Sequence, residues 1–402
     1  MNSEIHNTEK ISIYIPTMDR PRFVIRALSY YATTGFKGRI LIGDSSTGQN
    51  FDKVKNFKRS LDGKLNILHK FYPREDYSGS QIMHSLSQLL ETDYACFSGD
   101  DDFLVPRTLG LCAEFLDDNA EFIGAHGLMI NFELEDGNRY YGKLAETEYT
   151  RGLNAEHDLA SDRFVAYMCY PISVQFDLMR KNTLIQMYSK ADSTPTRYFG
   201  EEILPCALSV ISGKIAEIDS LHTVFQVHDE HHFSWHSHNM YDLITDPAFS
   251  ETIQVVKSSI TNALMKEDGI EKKDAQEIVD RELWHHIYGM MMTHYNKRYR
   301  NNGKDDNKTD NKTKEKPILS QISALIHNIP GITRPVSVVG LLRFLYRKFR
   351  MLETRKDEKE EDQPEETAKI FTLEALLNPS SPYHADFMPI HNIVTLKHKE
   401  II

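Results

Sequence analysis

Short apolar runs alternate with helical patterns through the first half of this chain, and that alternation restricts the fold more than any other feature. Lys10 to Pro16 alternates like a strand and ends at a proline. Pro21 to Tyr31 then places Phe23, Ala27, Leu28 and Tyr31 near one helical face. Arg39–Gly43 and Leu65–Phe71 read as two further strands. Ser78-Gly79-Ser80 opens a helix that buries Ile82, Met83, Leu86, Leu89 and Leu90. Tyr94–Phe97 is a fourth strand, followed by a helix from Pro106 to Leu116 and a long strand pattern over Phe122–Phe132. Such an order predicts βαβ units and the α/β class, with a mixed, mainly parallel, Rossmann-like sheet covered by helices. Right-handed crossovers bring the ends of the first, second and fourth strands to one edge. Thr17–Arg22, Asp44–Thr47 and Asp100–Asp102 then line one crevice, where open α/β sheets take ligands.

The last of those segments is the most informative. Ser98-Gly99-Asp100-Asp101-Asp102 follows the apolar run Tyr94-Ala95-Cys96-Phe97 directly. Three like charges at a strand end repel one another, and a hard divalent cation is their natural counter-charge. The same triplet also suits a solvated turn or the N-cap of the Pro106 helix.

Further on, the pattern weakens from Tyr140 to Arg163, which reads as an insertion or acceptor-side loop. Ile172–Leu178 is expected as a strand and Ile203–Ile211 as a helix closed by Gly213. Lys214–Ile218 and Thr223–Val227 are expected as two short strands, and Ile253–Tyr295 as helix. Asn301–Lys316 has almost no apolar residues and Asp357–Thr367 is mostly acidic. The resulting division is a first domain over 1–240, a helical extension over 241–300, a polar linker over 301–316 and a C-terminal helical segment over 317–402.

With 402 residues and a hydrophobic share of 40 % the chain can bury a substantial core. Its net charge of −11 argues against a nucleic-acid partner. No stretch approaches the roughly 20 apolar residues of a membrane span, and the N-terminus lacks a signal pattern. Cys96, Cys112, Cys169 and Cys206 are scattered in apolar segments and read as reduced core residues. A cytoplasmic location follows, with the inner membrane face as a variant discussed below.

The order of these pieces resembles the bacterial family 2 glycosyltransferases of the GT-A fold over about residues 10 to 235. The matching parts are Ile15-Pro16-Thr17-Met18-Asp19-Arg20-Pro21, Gly43-Asp44-Ser45-Ser46-Thr47, Gly79, the Gly-Asp-Asp-Asp run with Pro106 after it, and Gly200-Glu201-Glu202-Ile203 followed by Gly213. There is one departure. The family form is Asp, any residue, Asp, Asp, and here Gly99 stands first. The metal pair is therefore Asp100 with Asp102 or Asp101 with Asp102.

The resemblance implies an inverting, metal-dependent transfer of a sugar from a nucleotide-sugar donor, such as a UDP-sugar, to an acceptor hydroxyl. The acceptor would be a glycan or a lipid-linked sugar of bacterial surface polysaccharide assembly. Mg²⁺ or Mn²⁺ would sit on Asp100 and Asp102, completed by His228. Thr17, Arg20, Asp44 and Asp101 would hold the nucleotide. Glu202, with Glu201 beside it, would take the acceptor proton. Asp44 also suits a plain turn, and both glutamates suit a helix N-terminus. Five histidines (His228, His231, His232, His236, His238) lie close together with Trp235 among them. His228/His232 and His232/His236 have the i, i+4 spacing of a zinc pair, but Val224–His228 reads as a strand running into a loop. His228, at the strand end, is the preferred member. Gly340–Leu352 is basic and amphipathic and suits either an anionic membrane surface or an ordinary domain helix. A sugar-nucleotide nucleotidylyltransferase, a zinc metallohydrolase and a non-catalytic glycan-binding relative are the competing readings.

Overall fold

The computed structural model describes residues 8–150, 152–153, 155–169, 171–189, 194, 196, 198–228, 240–300 and 371–396. The strands in chain order are β1 (Ile11–Thr17), β2 (Arg39–Asp44), β3 (Asn66–Phe71), β4 (Tyr94–Phe97), β5 (Phe103–Leu104), β6 (Phe122–Leu134), β7 (Leu144–Thr150), β8 (Leu178–Arg180) and β9 (Lys214–Gln226). The helices are α1 (Pro21–Thr33), α2 (Gln49–Ser60), α3 (Gly79–Ser87), α4 (Pro106–Asp118), α5 (Ala160–Cys169), α6 (Lys181–Tyr188), α7 (Leu204–Ser212), α8 (Met240–Thr245), α9 (Phe249–Asp268), α10 (Lys272–Arg300), α11 (Leu373–Leu377) and α12 (His384–Thr395).

The strands form one sheet in the order β3-β2-β1-β4-β8-β6-β9-β5, with β7 added to β6. Pairings β1–β2, β2–β3, β1–β4 and β6–β9 are parallel and carry most of the paired residues. The other four are antiparallel. The mixed, mainly parallel α/β sheet expected above is what the chain forms.

Alternation along β1 sets the two faces. Ile11, Ile13 and Ile15 pack with Val24 and Leu28 of α1, Leu109 and Leu116 of α4, and Phe387 and Ile390 of α12. Tyr14 turns the other way, towards Ile82 and Leu86 of α3, Phe164 of α5, Val210 of α7 and Ile260 of α9. The sheet is thus covered on both sides, as its parallel half requires.

Contacts divide the chain into a unit of residues 1–294 with 370–402 and a second unit of 295–369. Of the second, only 295–300 is among the described residues, so the 301–316 run, the 340–352 segment and the acidic 357–367 run lie outside them. The C-terminal helices are built into the first unit. Thr147 Oγ1 donates to the Phe371 carbonyl at 2.6 Å, Gly142 N donates to the Val394 carbonyl at 2.9 Å, and the Phe371 ring stacks on Tyr149. These contacts account for the weak pattern after Tyr140. The stretch holds edge strand β7, whose apolar partners come from more than 200 residues away.

Three local expectations are corrected. Ile172–Leu178 is not a strand: a 3-10 turn over Val174–Phe176 precedes the short β8. The two strands expected between Lys214 and Val227 are one long strand, β9, with irregular register against β6. Cys169 is exposed; Cys96, Cys112 and Cys206 are buried, and all four are free thiols. No helix among the described residues is long and apolar enough to cross a membrane.

Candidate active site

The parallel register brings Thr17 opposite Asp44 at the ends of β1 and β2, while β4 ends at Phe97, opposite Tyr14 and three residues short of Thr17. The chain after β4 therefore folds over the end of β1. Thr17 Oγ1 donates to Asp100 Oδ2 at 2.6 Å. Arg20 lies in the same place, with Nη1 2.7 Å from Asp100 Oδ1 and Nη2 2.6 Å from Asp101 Oδ2. His228, just past β9, puts Nε2 2.8 Å from Asp101 Oδ2 and 3.1 Å from Arg20 Nη2. Its ring stacks on Phe23 at 5.1 Å, and the Arg20 guanidinium lies 4.3 Å from the Phe23 centroid. Asp102 Oδ1 accepts the Gln226 N–H at 3.1 Å. The three aspartates, Arg20, Thr17 and His228, chosen from the sequence, are one buried cluster.

Its electrostatics are uneven. Burial, and then the charge of Asp101, pushes Asp100 up to about 7 and Asp102 well above the usual carboxylate range. Burial acts on Asp101 as well, but the His228 hydrogen bond and the Arg20 guanidinium outweigh it and hold its carboxyl far down. Arg20 is raised, because Asp100 and Asp101 together overcome its burial.

Both oxygens of Asp100 are engaged, by Thr17 and Arg20. Among the described residues Asp101 Oδ1 and Asp102 Oδ2 take no hydrogen bond, and both converge on Gly99. A Cβ at residue 99 would fall 2.8 Å from Asp101 Oδ1 and closer still to Asp102 Oδ2. The glycine that breaks the family spacing is therefore a steric requirement of this carboxylate arrangement. Two such oxygens over a space without a side chain suit a hard cation that draws its other ligands from phosphate and water. Among the described residues no group of three or more acidic, histidine or cysteine side chains is disposed to hold a metal unaided.

Sequence reasoning missed Arg26. It is wholly buried on α1, yet its Nη2 donates to the Asp101 carbonyl at 2.8 Å and to Gln226 Oε1 at 2.6 Å, and its Nη1 to the Tyr140 carbonyl at 2.8 Å. Burial lowers its pKa to about 10, so it remains a cation at neutral pH. Gln226 passes the hold on through its own N–H to Asp102. The signal in the sequence is an arginine at the buried spacing Phe23, Arg26, Tyr30.

Asp44 is fully buried at the end of β2. Its Oδ1 accepts the Ser46 N–H at 2.7 Å and its Oδ2 lies 2.8 Å from His69 Nε2, whose ring stacks on Phe51. The neighbouring loop is fixed by Asp19, a non-glycine residue with φ 57°. Asp19 pairs with Arg74, accepts from Thr47 N and Asn50 Nδ2, and donates its own N–H to Ser46 Oγ at 2.7 Å.

Glu201 and Glu202 lie in a π-helical turn, Tyr198–Ile203, just before α7. Glu201 Oε1 accepts the Ser80 N–H at 3.1 Å at the start of α3, in the room left by Gly79. Ser78 and Gln81 form a capping box there, at the helix start expected from Ser78-Gly79-Ser80. Burial raises Tyr198, Tyr167 and Cys206, Cys206 to about 12, and the Glu202 charge adds to each. His231, His232, Trp235, His236 and His238 lie outside the described residues.

No family model matches the chain, and no curated protein does. Among solved structures it is similar to S. aureus TarS at 15 % identity and a TM-score of 0.43, over 68 % of this chain and 42 % of that one. A structure of S. aureus TarS 1–349 in complex with UDP-GlcNAc matches at 17 % identity and 0.45, over 68 % and 71 %. The mannosyltransferase PcManGT from Pyrobaculum calidifontis, in complex with GDP-Man and Mn²⁺, matches at 11 % and 0.39, over 80 % and 81 %.

Proposed function

We propose that this chain is an inverting glycosyltransferase that uses a nucleotide-diphosphate sugar and a divalent cation. One observation carries the reading: Asp101 Oδ1 and Asp102 Oδ2 converge over Gly99, with no hydrogen bond from the described residues, at the strand-end edge of a covered α/β sheet. These two oxygens would hold Mg²⁺ or Mn²⁺. When bound, the ion supplies Lewis-acid neutralisation of the charge that develops on the departing diphosphate.

The protein's own groups do the rest. Asp100, tied by Thr17 and Arg20, anchors the cluster rather than offering ligand atoms. Arg20 brings a fixed positive charge to the diphosphate side. The nucleoside lies along Thr17–Arg20 and Asp44–Thr47, where Asp44 orients His69. The acceptor hydroxyl gives its proton to Glu201, whose carboxylate is fixed at the start of α3 by the Ser80 N–H. This moves the base from the second glutamate to the first. A new C–O bond forms at the anomeric carbon from the face opposite the diphosphate, which leaves with the electron pair of the broken bond. The acceptor reading of a glycan or lipid-linked sugar, and surface polysaccharide assembly as the setting, belong to this proposal.

A thermal-shift screen of UDP, GDP, CDP and dTDP with and without Mn²⁺ tests it. The expected result is stabilisation by one diphosphate only when the metal is present, about 2.7 kcal/mol at a hundredfold excess over Kd. Asp102→Asn should abolish it. Stabilisation by zinc alone, or by no diphosphate, overturns the reading.

A further inference from the structure

Helix α12 carries Phe387, Ile390, Ile393 and Val394 at helical spacing, and all four are buried. They pack into the core beside α1, the helix that carries Arg26. Residues 301–370 separate α11 and α12 from α10 along the chain. Neighbouring elements are usually joined by about 4–6 residues, so this pair is held by its contacts rather than by a short connection. The polar contacts are spread over several elements. Besides the bonds from Thr147 and Gly142, Arg107 Nη1 of α4 lies 3.3 Å from Asp386 Oδ2, and Tyr383 OH donates to Asp219 Oδ1 of β9 at 2.8 Å.

The bond at Gly142 leads on to the acid cluster. Gly142 lies in the turn between β6 and β7, and its N–H donates to the Val394 carbonyl at 2.9 Å. Two residues earlier, the Tyr140 carbonyl accepts from Arg26 Nη1 at 2.8 Å, and its ring lies 4.6 Å from Phe23, on which Arg20 and His228 rest. The Arg139 carbonyl accepts from Gln226 Nε2 at 2.7 Å. Arg26 and Gln226 are in turn the groups that hold the Asp101 carbonyl and Asp102 Oδ1. A buried guanidinium and a buried amide are costly unless their donors are used, and the 139–142 turn supplies an acceptor to each. Helix α12 fixes that turn from outside.

The geometry points to the C-terminal helix pair as a positioning element of the acid cluster: by fixing the 139–142 turn it fixes Arg26 and Gln226, and through them Asp101 and Asp102. The consequence for cation binding rests on the transferase reading, whereas the hold on the cluster can be measured without any ligand. Phe387→Ala opens a cavity under α12. Phe164→Ala makes the same loss on the opposite face of the sheet, away from α12, and serves as the control. Amide hydrogen exchange of the full chain over 98–104 and 138–143 should be about tenfold faster in Phe387→Ala than in Phe164→Ala. Thr147→Val/Tyr383→Phe, which removes two fastenings without a cavity, guards against a Phe387 variant that fails to fold. It should quicken the same segments by a smaller factor.

Mn²⁺ affinity is then read by electron paramagnetic resonance of the free ion, with whichever of UDP, GDP, CDP and dTDP the thermal-shift screen selects. It should weaken by about tenfold in Phe387→Ala and stay at the parental value in Phe164→Ala. Linkage requires the converse: saturating Mn²⁺ with that diphosphate should slow exchange over 384–396 in the wild-type chain. Exchange over 98–104 and 138–143 that is equal in the two alanine variants, or unchanged in the double variant, overturns the inference. So does an equal Mn²⁺ affinity in the two alanine variants. A wild-type chain that binds no Mn²⁺ with any diphosphate overturns the transferase reading instead, and the ligand-free exchange then decides the positioning role by itself.

Discussion

Replacing Arg26 by methionine tests whether the acid cluster depends on a buried cation beneath it. The guanidinium donates three hydrogen bonds, to the Tyr140 carbonyl, the Asp101 carbonyl and Gln226 Oε1, and lies 5.0 Å and 5.1 Å from the Phe23 and Phe103 ring centroids. Methionine keeps the apolar stem between those rings. It removes three charge-assisted bonds, each contributing about 1.5–3 kcal/mol net, and strands their acceptors. It also takes a positive charge from beside three buried carboxylates. Against these losses stands relief from the cost of burying the guanidinium, the same cost that lowers its pKa to about 10. Breaking one side of a buried ionic arrangement typically leaves a net loss of about 3–5 kcal/mol. With a urea slope of roughly 3 kcal/mol/M, the unfolding midpoint should fall by about 1 M or slightly more. Arg26→Lys should fall between the two, since it keeps the charge but loses the planar fork. A methionine variant within about 0.5 kcal/mol of the parent, the range of an ordinary surface change, would refute the reasoning.

Other perturbations address separate parts of the molecule. Gly99→Ala places a methyl against Asp101 and Asp102 and should cost about 1–3 kcal/mol; Mn²⁺ affinity, read by electron paramagnetic resonance of the free ion, should drop by about tenfold or more. Glu201→Gln should preserve diphosphate binding and lower turnover by about 10²–10⁴-fold, with Glu202→Gln closer to wild type; the reverse order in donor hydrolysis would return the base role to Glu202. Asp177, 1 % exposed, is pushed up to about 7 mainly by burial, with His126 opposing and Glu217 adding to the shift. Its folded state thus binds the proton more tightly than the unfolded chain, so its contribution is fully present below pH about 4 and is lost as pH rises through about 7. Asp177→Asn should therefore melt well above wild type at pH 8, by a narrower margin at pH 5, and level with it only below pH about 4, as followed by calorimetry.

Element type was legible in the sequence wherever one apolar face sufficed to define it. The strands β1 to β4, helices α1, α3 and α4, and the Ser78 cap all follow from local pattern and cap chemistry. The failures have a common cause. β7 owes its place to Phe371 and the C-terminal helices, which no local window contains. α2 buries only Val54, so few apolar residues mark it in the sequence. β8 is three residues long and antiparallel to its neighbours, so the apolar run at 172–178 resembles a longer strand than the one that forms.

Residue chemistry at the site was legible too, but not which atoms remain available for work. A run of three aspartates points to a need for counter-charge; it does not say that Thr17 and Arg20 use up both oxygens of Asp100. Nor does it say that Gln226, more than 120 residues away, takes one oxygen of Asp102 and leaves the other pointing over Gly99. The same holds for the glutamates. Their adjacency in sequence makes them equivalent candidates, whereas in the fold Ser80 and Gln175, from two distant elements, hold Glu201 at its carboxylate and its carbonyl. In each case the decision lies with a hydrogen-bond partner from a distant element. Which side-chain atoms stay available is a property of the tertiary structure that residue type and spacing do not specify.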